Sequence, residues 1–184
     1  METSKSHGRR VREGWFDRYV KQPVIDIGCG GDPLVSPGGL CTWDSSFGNS
    51  DATLMDGVGD ESFATVYSSH CLEHIQDPLK ALGNWWRILK PGGHLIVVVP
   101  HRDLYECRME LPSQFNPDHK WFFVPHSGAD GNLHSHTLGL FGTIRLAIPN
   151  GKIVSFRVLD DGWKREGFGQ AVGEYSIECI VKKT

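Results

Sequence analysis

At 184 residues, with 39% hydrophobic and 22% charged side chains, the chain has the size and balance of one soluble globular domain able to bury a substantial core. Its formal net charge is -3 and its only basic cluster is Arg9, Arg10 and Arg12, which disfavours nucleic acid as the main partner because phosphate neutralisation needs a basic surface. No apolar run is long enough to span a bilayer or to serve as a secretion signal. The five cysteines (Cys29, Cys41, Cys71, Cys107 and Cys179) include no CxxC pair, so a cytoplasmic protein with free thiols is expected.

Residues 1–7 are polar. From 9 to 20, Val11, Trp15, Phe16, Tyr19 and Val20 recur at helical spacing and predict an amphipathic helix that covers a sheet face, or alternatively a lid bringing Trp15 or Tyr19 to a ligand mouth. The stretch VIDIGCGGDP at 24–33 follows. Its apolar start, interrupted only by Asp26, reads as a buried strand that breaks into Gly28, Gly30 and Gly31, a turn whose backbone a ligand can approach directly. Asp26 places an acceptor beside that cradle, suited to an ammonium group or to the N–H groups of the turn, and repels phosphate. Counting GxGxxG from Gly28 puts Pro33 where the nicotinamide fingerprint needs its last glycine, which argues against an oxidoreductase.

Residues 34–39 contain Pro37 and two glycines and are too broken for a long crossover helix. Residues 40–43 read as a second strand ending on Asp44, placed either to accept both hydroxyls of a ribose or to cap the turn before Ser45 and Ser46. A short third strand is expected at 53–55, followed by Asp56, and a fourth at 63–68. Asp77 and Pro78 then form a cap and first turn for a helix with an apolar stripe of Leu79, Leu82, Trp86 and Leu89, stopped by the KPGG of residues 90–93. Residues 95–99 are almost wholly aliphatic and β-branched, as in a central strand covered on both faces.

Two features carry a family resemblance. The spacing acidic residue, x, Gly, x, Gly, formed here by Asp26, Gly28 and Gly30, resembles the first motif of the class I S-adenosylmethionine-dependent methyltransferases, although the usual third glycine falls at Asp32. The unbroken run SSHCLEHIQDPLKALGNWWRILKPGGHLIVVVP looks like the fourth strand, following helix, turn and fifth strand of the same class. The resemblance implies an α/β fold, a Rossmann-like doubly wound seven-stranded sheet, mostly parallel with an antiparallel C-terminal hairpin, in a single domain over residues 1–184. It also implies S-adenosylmethionine as cofactor, with Asp26, Gly28, Cys29 and Gly30 around its amino-acid end and Asp44 on the ribose. Asp56 would meet the adenine amino group, Met55 the ring, and Ser69, His70 and Glu73 the sulphonium end.

Residues 101–134 are rich in His, Pro, aromatics and charge without clean periodicity, and they follow the central strand, so they are expected to lie over the carboxyl edge of the sheet as the acceptor region. His101 and His119 are the candidate bases there. Asp118, His119, His126, His134 and His136 permit a metal reading only if residues 134–136 are extended. A helix is expected from Ser135 to Ile148, so no metal is assigned. Residues 153–159 and 175–181 read as the closing strands. The expected function is methyl transfer to a small-molecule or saccharide acceptor, most readily at oxygen; the alternative is a catalytically silent module that binds the cofactor and serves as a partner or sensor.

Overall fold

The computed structural model describes residues 2–36, 38–48, 51–126, 135–167 and 169–184. Its centre is a sheet of six strands: β1 (Val24–Ile27), β2 (Cys41–Trp43), β3 (Phe63–Ser69), β4 (Leu89–Pro100), β7 (Lys152–Leu159) and β8 (Ser176–Lys182), in the order β2-β1-β3-β4-β8-β7. β2, β1, β3 and β4 are parallel, and β8 runs antiparallel to both β4 and β7. A separate pair, β5 (Phe122–Val124) and β6 (Thr137–Gly139), is parallel.

Alternation along β4 separates two cores. Leu95, Val97 and Val99 join Ile25, Ile27, Val66 and Cys179 against Leu82 and Trp85 of α4 (Pro78–Arg87) and Leu140 and Ile144 of α6 (Leu140–Ala147). Ile96 and Val98 point the other way, to Val24, Tyr67, Ile180 and Trp15. An aliphatic strand buried on both faces is what the sequence of β4 demands.

The second face is covered by the N-terminal helices α1 (Glu2–Lys5), α2 (His7–Arg12) and α3 (Trp15–Tyr19). The single helix expected over residues 9–20 is broken because Gly14 adopts φ +63, a left-handed conformation that turns the chain between α2 and α3. Trp15 and Tyr19 pack on the sheet face rather than at a ligand mouth. Arg10 anchors this layer. Its guanidinium is 1% exposed, donates to Tyr67 Oη at 2.9 Å and to Glu178 Oε2 at 3.3 Å, and stacks 4.4 Å from the Trp15 ring.

The strand count is six, not seven. Residues 53–55 form a turn: the Leu54 and Met55 N–H groups donate to Asp51 O, and Met55 sits at φ +52. Side chains of α4 take the carbonyls a ladder would use, Trp85 Nε1 donating to Ala52 O at 2.8 Å and Asn84 Nδ2 to Thr53 O at 2.9 Å. The stripe of α4 is also rotated from expectation. Pro78, Ala81, Leu82 and Trp85 are buried, while Leu79 is 45% exposed and Trp86 half-buried. Ser135 and His136 lie in a turn before β6, so α6 starts five residues later than expected. The region after β4 is not wholly irregular, for it holds α5 (Arg102–Tyr105) and β5. No helix among the described residues is long and apolar enough to cross a membrane.

Arg10→Met should therefore lower stability by about 3 kcal/mol, since removing one member of a buried ion pair leaves the other charge poorly compensated. Urea denaturation followed by tryptophan fluorescence measures it; a loss below roughly 1 kcal/mol would show that Arg10 does not anchor the layer.

Candidate functional site

The parallel strands end on one edge of the sheet, and a cavity of about 630 Å³ opens there. That is ample for a nucleoside-sized ligand. Its floor is made where β1 and β3 leave the sheet side by side. Gly28 follows β1 at φ +73, and a Cβ at that position would overlap Cβ and Sγ of Cys71, just beyond β3. The two turns can come this close only because position 28 has no side chain. The Gly28 N–H donates to Trp43 O at 2.8 Å, tying the turn to β2.

The walls come from three further turns. Trp43 ends β2 and Asp44 and Ser45 follow it; Asp51, Ala52 and Thr53 belong to the turn that replaces the expected third strand; His70, Cys71, His74, Ile75 and Gln76 follow β3. Asp44 accepts from Gly30 N–H at 2.9 Å through Oδ2, and its Oδ1 accepts from both the N–H and the hydroxyl of Ser46. Partial burial works against its ionisation, but those hydrogen bonds outweigh it and hold its pKa below the ordinary aspartate value. A fixed carboxylate with lone pairs to spare suits a pair of hydroxyl donors. Asp51 stands on the same cavity with Ala52, an acceptor beside an apolar surface.

His70 has φ +54, and its ring is held at both nitrogens, Nδ1 3.1 Å from Ser69 Oγ and Nε2 3.2 Å from Ser176 Oγ. Burial, reinforced by the neighbouring His119, Lys5, His74 and Arg10, pushes its pKa down to about 3, so the imidazole is neutral. The thiols of Cys29 and Cys71 are pushed up by burial to about 11 and about 12, so neither is a nucleophile at neutral pH.

A second, smaller cavity of about 140 Å³ shares His70 and His74 with the first and continues past them to Glu2, Glu73, Tyr105, Asn116, His119, Gln170 and Tyr175. Glu73 is fully buried, and neither carboxylate oxygen has a hydrogen-bond partner among the described residues. Burial pushes its pKa up to about 8, with the carboxylates of Glu2 and Glu106 adding to the effect. His119 is also buried, its Nδ1 2.9 Å from Glu106 Oε1 and its ring 4.8 Å from that of His74. His74 Nδ1 in turn lies 3.1 Å from Asp118 Oδ2, and burial and His119 lower its pKa.

Of the residues expected to hold a cofactor, Gly28, Asp44 and His70 line the large cavity together. Gly30 takes part by fixing Asp44, and Ser69 by fixing His70. Asp26 lies behind the turn, fully buried, accepting from Leu34 N–H at 2.7 Å, and Cys29 is buried beside it. Met55 is fully buried in the core and Asp56 is exposed; neither lines the cavity. Asp51 occupies the wall that Asp56 was expected to supply. Of the two histidines, His119 faces the small cavity. His101 faces neither: its Nδ1 accepts from Asp103 N–H at 3.1 Å as the cap of α5.

The five-residue metal grouping is not assembled either. The His126 ring packs between Phe141 and Phe156, His136 contacts Ser135, and His134 lies outside the described residues. What sequence reasoning missed are Asp51, His74, Glu106 and Tyr175. Asp51 could have been found from the Asx-type turn signal Asp-x-Thr, whose Thr53 N–H donates to Asp51 Oδ1 at 2.6 Å. Glu106 and Tyr175 carry no local signal, because Glu106 follows α5 and meets His119, while Tyr175, just before β8, packs on Tyr105 from 70 residues away.

Residues 9–130 match the methyltransferase domain family. A search of curated proteins gives no match. Among solved structures, the YcgJ protein of Bacillus subtilis is 13% identical with a TM-score of 0.54, covering 97% of this chain and 99% of that one. An S-adenosylmethionine-dependent methyltransferase of Methanosarcina mazei is 15% identical, TM-score 0.54, with 92% and 96% covered. A Thermotoga maritima S-adenosylmethionine-dependent methyltransferase, described as a possible histamine N-methyltransferase, is 21% identical, TM-score 0.51, with 95% and 97% covered. At these identities the likeness is one of fold.

Burial pushes Asp26 up to about 7, only partly opposed by Leu34 N–H and Arg10, and Asp32 and Asp44 raise it further. An acid whose folded pKa exceeds its unfolded value costs nothing below the unfolded pKa, and its penalty grows until pH passes the folded one. Asp26→Asn should thus gain stability relative to the wild type between pH 4 and pH 8, by up to about 4 kcal/mol at the upper limit. Paired denaturation curves across that range measure it. A constant difference would show that Asp26 titrates normally.

Proposed function

Because the chain belongs to the methyltransferase domain family, we propose that it transfers the methyl group of S-adenosylmethionine to a small-molecule or saccharide hydroxyl that enters the smaller cavity. The observation that carries this reading is the meeting of two cavities at His70 and His74, one large enough for a nucleoside and one small and lined by titratable groups. S-adenosylmethionine, the cofactor of this fold, supplies when bound a methyl carbon on a cationic sulfur, which leaves with the bond's electron pair as an acceptor oxygen bonds to the carbon.

The residues fit that cofactor. The bare turn at Gly28 lets a ligand reach the main chain, Asp44 offers a fixed carboxylate to ribose hydroxyls, and Asp51 with Ala52 and Trp43 suits an adenine edge and face. His70, held neutral at the junction, brings no like charge toward a sulphonium. Such a transfer asks the protein chiefly for alignment and exclusion of water. The region after β4 contributes Asp118 to the lining of the larger cavity and Asn116 and His119 to that of the smaller. His119, which lines the smaller cavity, is on this reading the group that acts on the acceptor proton.

Titration calorimetry with S-adenosylhomocysteine tests the cofactor site. The wild type should bind, and Asp44→Ala should bind at least about tenfold more weakly, the loss expected for hydrogen bonds to a charged group. Absence of binding by the wild type would overturn the assignment.

Turnover of labelled cofactor with a metabolite extract tests the acceptor side. His119→Ala should lower kcat by about 10²- to 10⁴-fold with little change in S-adenosylhomocysteine affinity, as for loss of a group acting on the transferred proton. His101→Ala should leave turnover near the wild-type level. The reverse pattern would move the chemistry to the cap of α5.

A further inference from the structure

The geometry points to a divalent transition-metal site formed by Glu73, His74 and His119 at the wall of the small cavity. One ligand atom from each lies within 4.8 Å of the others. Ligands on one zinc-like ion stand roughly 3–3.5 Å apart at bond lengths of about 2.1 Å, so side-chain adjustments of an ångström or so close the site. The short 3-10 turn Leu72–His74 presents Glu73 and His74 together, and His119 comes from the segment laid across it.

Two independent features distinguish this group from a chance cluster. The first is Glu73 itself, a carboxylate whose side chain is 1% exposed, with no hydrogen-bond partner on either oxygen and no lysine or arginine paired with it among the described residues. His74 Nε2, 3.9 Å away, is its nearest ionic neighbour. A buried acid lining a cavity with nothing to satisfy it is a group awaiting a cation. The second is the arrangement behind the rings. His74 Nδ1 faces Asp118 Oδ2 at 3.1 Å and His119 Nδ1 faces Glu106 Oε1 at 2.9 Å. His74 is thus hydrogen-bonded at Nδ1 and turns Nε2 toward Glu73, the pattern that orients a metal-ligating histidine, while His119 Nδ1 stands beside Glu106 without a hydrogen bond.

Two imidazoles and one carboxylate favour a first-row transition ion over magnesium or calcium, which take oxygen ligands. Three protein ligands leave an open position. Resting on the acceptor cavity assigned above, that position is where an acceptor hydroxyl would coordinate, its pKa lowered by the ion so that the proton passes to water. His119 would then act on the acceptor through the ion.

Cobalt(II) is the probe, added to the chelator-stripped 184-residue chain and followed by its visible ligand-field absorption, with S-adenosylhomocysteine affinity measured on the same samples. One cobalt per chain, with a nitrogen and oxygen ligand field and no thiolate charge-transfer band, is expected. Binding should weaken at least about tenfold in Glu73→Gln and in the half-exposed His74→Gln, with unchanged circular dichroism. No saturable binding, a thiolate band, or equal affinity in both variants overturns the site. Cobalt binding with those losses but no S-adenosylhomocysteine binding supports the metal site while removing the methyl-transfer reading. S-adenosylhomocysteine binding without cobalt does the opposite.

Discussion

The close approach of Gly28 to Cys71 is the contact on which the rest of the site depends. β1 and β3 are neighbours in the sheet, and each leaves it through a residue with positive φ, Gly28 at +73 and His70 at +54. A side chain at position 28 would drive the two turns apart. Their convergence sets the large cavity over Gly28 and leaves the His70 ring, pinned by Ser69 and Ser176, as the partition between that cavity and the smaller one. The sheet permits this because its two faces are filled by apolar layers, so polar groups gather only where strands end.

Electrostatics divides the two cavities. On the larger side Asp44 is hydrogen-bonded and held ionised, while the imidazole at the boundary is kept neutral by burial. On the smaller side Glu73 is buried without a partner, and the imidazoles of His74 and His119 stand between carboxylates. The N-terminal layer reaches this second cavity through Glu2, which accepts from Tyr175 Oη at 2.5 Å and pairs with Lys5 at 2.9 Å. The ion pairs of Arg9 with Glu174 and Arg10 with Glu178 hold that layer against β8 and the residues before it. A stretch that reads only as polar in the sequence therefore completes a wall of the small cavity.

Whatever is local in periodicity or turn chemistry was legible in the sequence: the glycine turn after β1, Asp44 after β2, the Asp77 cap of α4 accepting from Lys80 N–H at 3.0 Å, the aliphatic β4 and the closing antiparallel pair. Such features depend on neighbours within a few residues, where spacing alone constrains geometry. The mostly parallel α/β architecture and its antiparallel ending were legible as what the resemblance to the methyltransferase class implies.

Tertiary structure alone decided the rest. Residues 53–55 have the composition of a strand, but Trp85 and Asn84 of α4 capture the carbonyls of Ala52 and Thr53, so the seventh strand is lost and Asp51 rather than Asp56 faces the cavity. Trp85 rather than Trp86 is buried because the face of α4 is set by the sheet beneath it and by α6 beside it. His101 and His119 look equivalent as a histidine after a strand and a histidine in an irregular stretch. Only the path of residues 102–119 turns one into a helix cap and delivers the other to Glu73 and His74. Local sequence sets which conformations each segment favours, whereas the meeting of side chains far apart in the chain depends on how those segments pack, which no short window encodes.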